Sequence, residues 1–301
     1  MKKFIYLIPM MLFAVIVQAQ DNTYLLYSFK GNVSFVEKNV ETKARVGKIL
    51  YSDASIKVAA NSTVTLICNE TAMFTVKKTG SFPMTAFRDS CSTHSSSVSS
   101  NYIKYVWSQM TTVSGTPGSN RKAFMNTVGA VSRGDISNVW IDGRLDTINY
   151  VNGEFPLSWK SYNEAKKYTF MLYSNNNIET PMFTTEVSKE KLAIPSFADR
   201  MKPGDSYYWS VAIKGEESDQ LKVLKYIKKE DFNKMVDQMK KSGGIDGEEE
   251  ADQAYRVAFM LEDAHYLAEA YKYYAKAAQL KPDNQLYRST LMSFKKDYEI
   301  K

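Results

Sequence analysis

The chain has 301 residues, of which 13% are aromatic, and its 20 tyrosines exclude a solvated disordered polymer and give material for roughly two or three folded domains. Its formal net charge of +6 comes from 39 basic and 33 acidic residues. Without Lys2 and Lys3 at the N-terminus, the balance falls to about +4, too mild to point to a nucleic-acid partner.

Lys2 and Lys3 precede an uncharged apolar run from Phe4 to Val17, with small Val17 and Ala19 at its end. This is the layout of a secretory signal over 1–19, since a spanning helix needs about 20 apolar residues. No cysteine follows the run, so a lipid anchor is not expected. No second segment is apolar and long enough to span. The mature product is expected to be periplasmic or secreted, in a compartment where cysteines oxidise.

Over 20–90 short alternating segments are predicted to be half-buried strands separated by turn residues. The pattern is carried by Gly31-x-Val33, Val46-Gly47-x-x-Leu50, Ile56-x-Val58 and Asn61-Ser62-x-Val64-x-Leu66. The stretch resembles the FecR-like β domain, named after a periplasmic regulator of iron uptake. The resemblance implies an extracytoplasmic β module that contacts other envelope components. It does not extend to transmembrane signalling, because the single membrane-length segment sits at the extreme N-terminus.

Cys68 and Cys91 are the only cysteines. They can pair across the oxidised compartment, which would stabilise by about 3 kcal/mol. Cys68 is also in phase with Val64 and Leu66, where a free thiol would pack as a small hydrophobe. The sequence is compatible with a disulfide and with a buried free thiol.

The region 91–150 is Ser, Thr, Gly and Asn rich in its first part and is read as a connecting region with one short helix, Asn101 to Met110, and a strand at Val139-Trp140-Ile141. Cys91 and His94 are adjacent in sequence, but a nucleophile and base must meet in a fold beside an orienting third group. Gly115 to Lys122 lacks the Gly-Lys-Ser/Thr ending of a phosphate loop and reads as a surface loop.

From 151 to 227 a second β pattern is predicted, with Phe155, Leu157 and Trp159 on one strand face, Tyr168, Phe170 and Leu172 on another and Tyr207, Trp209 and Val211 on a third. Met201 to Val211, with Pro203-Gly204 ahead of an aromatic strand, and Leu157-Ser158-Trp159 resemble fibronectin type III and immunoglobulin-like modules. That resemblance implies a β-sandwich, with both tryptophans in its core.

The segment 228–301 carries helical spacing at Phe232, Met235, Val236 and Met239, then helices from about Glu248, Tyr266 and Gln285. Glu269-Ala270, Tyr274, Ala277 and Leu280-Lys281-Pro282-Asp283-Asn284 resemble one tetratricopeptide repeat, with His265 where that family uses a turn glycine. One repeat cannot bury its own face, so the flanking helices are expected to cap it in a small four-helix bundle.

The expected fold class is thus multidomain, mainly β then α. Acidic Glu248, Glu249, Glu250 and Asp252 are read as helix-start residues, not a calcium site. Lys222, Lys225, Lys228 and Lys229 are read as a solvated face. No catalytic, cofactor or metal residues are assigned. The function expected is that of a non-enzymatic envelope scaffold or adaptor whose partners are other envelope proteins, with Tyr255, Tyr271 and Tyr274 as partner-binding candidates. The rival expectation is a polysaccharide-binding or glycan-processing accessory protein, which would need exposed aromatics on a β face near carboxylates.

Overall fold

The computed structural model describes residues 22–92, 100–111, 121, 138–162, 167–218, 220–242, 245 and 248–301. Strands fill the N-terminal and middle parts, and four helices form the C-terminal region.

The first part holds β1 (Tyr24–Lys30), β2 (Val33–Glu37), β3 (Val40–Lys43), β4 (Ile49–Leu50), β5 (Ser55–Val58), β6 (Thr63–Cys68), β7 (Ala72–Val76) and β8 (Gly80–Pro83). They form two four-stranded sheets, ordered β4-β1-β6-β7 and β3-β2-β5-β8. Alternation explains how they close on each other: Val33 and Phe35 of β2, Ile56 and Val58 of β5, and Val64 and Leu66 of β6 share one apolar core. The β2–β3 hairpin turns through Lys38 and Asn39, both at positive φ, as a two-residue turn matched to strand twist requires. Gly31 lies at φ 79° against Ser62, and a Cβ there would stand 2.4 Å from the Ser62 Oγ. That hydroxyl accepts a hydrogen bond from the Asn32 N–H at 2.9 Å, so a side chain at position 31 would displace the turn.

β1 departs from simple alternation. Tyr24, Leu25, Leu26 and Tyr27 are all buried, because Tyr24 and Leu26 face the first core while Leu25 and Tyr27 face a second one. A register shift between Leu26 and Ser28 marks a bulge in the pairing with β6.

α1 (Arg88–Ser92) follows, then α2 (Ser100–Thr111). α2 stands where a connecting region was expected, yet it is core: Tyr102, Ile103, Tyr105 and Val106 are buried. The polar residues around it disguise an apolar stripe at helical spacing.

The middle part holds β9 (Val139–Trp140), β10 (Thr147–Tyr150), β11 (Pro156–Ser158), β12 (Lys160–Ser161), β13 (Tyr168–Ser174), β14 (Phe183–Val187), β15 (Lys191–Ala193), β16 (Ser206–Ile213) and β17 (Lys222–Tyr226). The main sheet is ordered β10-β17-β16-β13-β14, with β10 parallel to β17, and the small pairs β11–β15 and β12–β9 accompany it. Register sets Phe170 opposite Val211 and Leu172 opposite Trp209. The nine aromatic and aliphatic positions expected to point inward here are all buried.

α3 (Lys229–Ser242), α4 (Glu250–Asp263), α5 (Leu267–Leu280) and α6 (Gln285–Asp297) complete the chain. α4 ends with His265 at φ 60°; its N–H bonds to the Glu262 carbonyl at 3.0 Å and the Tyr266 N–H to the Leu261 carbonyl at 2.8 Å. This is the left-handed helix stop that glycine usually supplies. One apolar core runs from the outer face of β1 and β6 through α2 and the middle strands into α4, α5 and α6.

Candidate binding surface

The shared core is laced with polar pairs. Tyr27 and Tyr102 hydroxyls lie 2.6 Å apart, joining β1 to α2. The Tyr255 hydroxyl donates to that of Tyr105 at 3.2 Å, and both lie within hydrogen-bond reach of the Thr290 hydroxyl, at 2.9 and 3.1 Å. Glu262 accepts from Tyr274 at 2.9 Å and Tyr298 at 3.3 Å. Its positive partner is Arg121, whose Nε lies 2.8 Å away and whose Nη2 lies 2.7 Å from Asp297. Arg121 also sits over the Phe294 ring. Burial drives the phenols of Tyr27, Tyr102, Tyr255, Tyr274, Tyr287 and Tyr298 well above the ordinary tyrosine range, so all of them act as neutral hydrogen-bonding groups.

A second set of bonds clamps the helices to the middle strands. The Asn149 N–H donates to the His265 carbonyl at 2.9 Å and its side-chain amide to the Ala264 carbonyl at 2.8 Å. Glu269 accepts from the Asn152 N–H at 3.1 Å, and Lys272 donates to the Asn152 carbonyl at 2.9 Å. Burial raises the Glu269 carboxyl above its usual range.

The partner-binding candidates separate on this framework. Tyr255 and Tyr274 are fully buried and hydrogen-bonded inside the joint. Tyr271 is half-buried, stacks on Phe294, and lines a cleft of about 380 Å³ with Phe155, Pro156, Ala193 and Ile300. Of the three, only Tyr271 offers a surface in this arrangement.

Cys68 and Cys91 form a disulfide, with Cα atoms 5.5 Å apart, that ties α1 to the end of β6. His94 lies outside the described residues, as does most of the Gly115 to Lys122 loop, of which Arg121 alone is described. The acidic residues at the start of α4 are held by cations: Glu248 by Arg256, Glu249 and Asp252 by Lys281, and Glu250 by Lys276. Burial pushes the Glu248 carboxyl up to about 7. Lys222 pairs with Asp146, while Lys225, Lys228 and Lys229 are exposed.

A second cleft, of about 400 Å³ and with a mixed polar and apolar lining, has no counterpart in the sequence pattern. Its walls come from β1 (Ser28 and Phe29), the Val46-Gly47 turn, the end of α2 (Gln109 and Met110) and the α5–α6 turn with the start of α6 (Asn284 to Tyr287). Asp252 closes its floor, bonded by the Tyr287 hydroxyl and by Lys281 at 3.1 Å. β4 pairs with β1 only at Tyr24 and Leu25, and Leu26 bonds to Gly47 and Lys48. From Ser28 onward no strand among the described residues flanks that edge of β1. No sequence signal could have located the cleft, because its walls meet only after folding.

Among the described residues no helix is long and apolar enough to cross a membrane. The chain matches no protein-family model and no curated protein sequence.

Proposed function

We propose that this protein is an exported, non-enzymatic envelope scaffold that binds other proteins, and that the cleft between β1, α2 and α6 takes an extended peptide segment of a partner. The observation that carries the reading is the make-up of the cleft: the edge of β1 at buried Ser28 and half-buried Phe29, which no strand among the described residues flanks, shares it with the side-chain amides of Gln109 and Gln285 and with Asn284, whose Oδ1 caps α6, and Met110 and Leu286 are apolar contacts. Amides and a free strand edge match the donors and acceptors of a polypeptide backbone, and alternate side chains of an added strand would meet the apolar positions. The Cys68–Cys91 disulfide supports an oxidising compartment. The shared core supports a rigid platform, which lowers the ordering cost of binding.

The test is photo-crosslinking in intact cells from a reactive residue at the exposed Gln285 position. A discrete cross-linked polypeptide that weakens when Met110 is changed to Glu is the expected result. Absence of any discrete adduct from position 285 in correctly folded protein contradicts the reading.

A further inference from the structure

The buried tryptophans Trp159 and Trp209 leave a different aromatic pair at the surface. Trp140 is 46% exposed and Tyr162 71% exposed. In the β12–β9 ribbon Trp140 stands opposite Lys160, and the Tyr162 N–H bonds to the Asn138 carbonyl at 3.0 Å, continuing the same antiparallel register. Directly paired residues and their second neighbours share a face, so Trp140, Lys160, Asn138 and Tyr162 all point outward, while Val139 between them is buried. Trp140 and Tyr162 are diagonal neighbours on that face, about 7–8 Å apart along the ribbon. Among the described residues neither ring stacks on another ring, and neither side chain makes a hydrogen bond.

The rim is polar, with one cation among three carboxylates. Lys160 reaches Glu190 at 3.6 Å and also pairs with Glu299. The Asn138 amide donates to Glu216 at 3.0 Å. We infer that this ribbon is a binding platform for a neutral glycan chain, with Trp140 and Tyr162 each lying against the C–H face of a sugar ring and the Asn138, Lys160 and carboxylate groups meeting its hydroxyls.

Three features select this occupant. Two aromatic side chains about 7–8 Å apart on one face of a paired ribbon present amphipathic contact area at low entropic cost. The apolar area is confined to two rings hemmed by Lys and Glu, whereas a stable protein interface needs about 800 Å² per partner and a core depleted of those charges. Of the charged groups at the rim one is a cation, Lys160, and three are carboxylates, Glu190, Glu299 and Glu216, so the rim is net negative and repels an anionic polymer.

This inference is independent of the peptide cleft, which lies on other elements. The test is native-gel affinity electrophoresis of the purified protein through barley β-glucan, xylan and pullulan, with Trp140→Ala, Tyr162→Ala and Tyr162→Phe beside the parent chain. Retardation by at least one of the three polymers is expected, weakened about tenfold by Trp140→Ala or Tyr162→Ala and largely kept by Tyr162→Phe, since stacking and not the hydroxyl carries the contact. Quenching of tryptophan fluorescence by the retarding polymer should vanish in Trp140→Ala, with thermal melts showing each variant folded. The inference fails if none of the three polymers retards the parent chain. It fails equally if the Trp140→Ala and Tyr162→Ala variants are retarded as strongly as the parent, or if they lose a protein adduct while glycan retardation is unchanged. Met110→Glu, which tests the cleft, should leave the retardation as it is.

Discussion

The two cores of this molecule are held by different chemistry. The core between the sheets β4-β1-β6-β7 and β3-β2-β5-β8 is almost purely apolar and is closed by a disulfide. The larger core, which joins β1 to α2, the middle strands and the helices, is threaded by buried tyrosines, two arginines and their carboxylates. Apolar packing is non-directional and tolerates repacking, whereas a buried ion pair or hydroxyl network is stable in few geometries. The small core therefore needs only to be sealed, and the joint needs its parts in register.

The sharpest way to break that contrast is Arg121→Met. It leaves Glu262 fully buried without its cation, and breaking a buried pair from one side costs about 3–5 kcal/mol; urea unfolding should read this loss. Replacing Cys68 and Cys91 by serine acts on the other core and should cost about 3 kcal/mol through the freed unfolded chain. Melting the parent protein with and without reductant checks it, and a reductant effect in the double-serine variant would count against the assignment.

Titration distinguishes the cores as well, because the ionisable groups sit in the joint. The Glu248 carboxyl has a folded value of about 7, raised by burial from an ordinary 4.5, against the opposing pull of Arg256 and with Asp252 adding to the rise. The folded chain thus holds this proton more tightly than the unfolded chain does. Its contribution favours folding fully below about pH 4.5 and is lost as the pH rises through 7. Glu248→Gln should flatten the stability difference between those two pH values.

Tyr105→Phe removes one member of the hydroxyl group shared with Tyr255 and Thr290 and should cost about 1 kcal/mol. The smallest effect is expected at His265. Its left-handed backbone is a position where glycine has no steric penalty, so His265→Gly should raise the melting temperature slightly, a gain of some tenths of a kcal/mol after glycine's own entropy cost.

Much of the secondary structure was legible because it rests on periodicity. The starts expected near Glu248, Tyr266 and Gln285 correspond to α4, α5 and α6, and the inward phases of Phe170, Trp209 and Val211 are met in β13 and β16. α2 was legible as a helix but not as core, since Ser100, Asn101, Lys104, Ser108 and Gln109 dilute its stripe and only a partner surface reveals its burial. Double burial of β1 was likewise hidden, because alternation reports one buried face and the second depends on which element docks there. Tyr255 and Tyr274 look alike to Tyr271 by composition and spacing. Only the packing of α6 and α2 over α4 and α5 decides which ring is left at the surface. The Trp140 and Tyr162 pair was out of reach for a related reason: the two residues become neighbours through the β12–β9 register, which no spacing along the chain encodes.

Differential scanning calorimetry of the purified protein tests the central claim, that the first β part, α2 and the helices share one joint, most directly. The joint predicts a single transition with equal calorimetric and van't Hoff enthalpies, shifted as a whole by Arg121→Met. Two resolved transitions, with the one from the disulfide-closed β part unmoved by Arg121→Met, would contradict it.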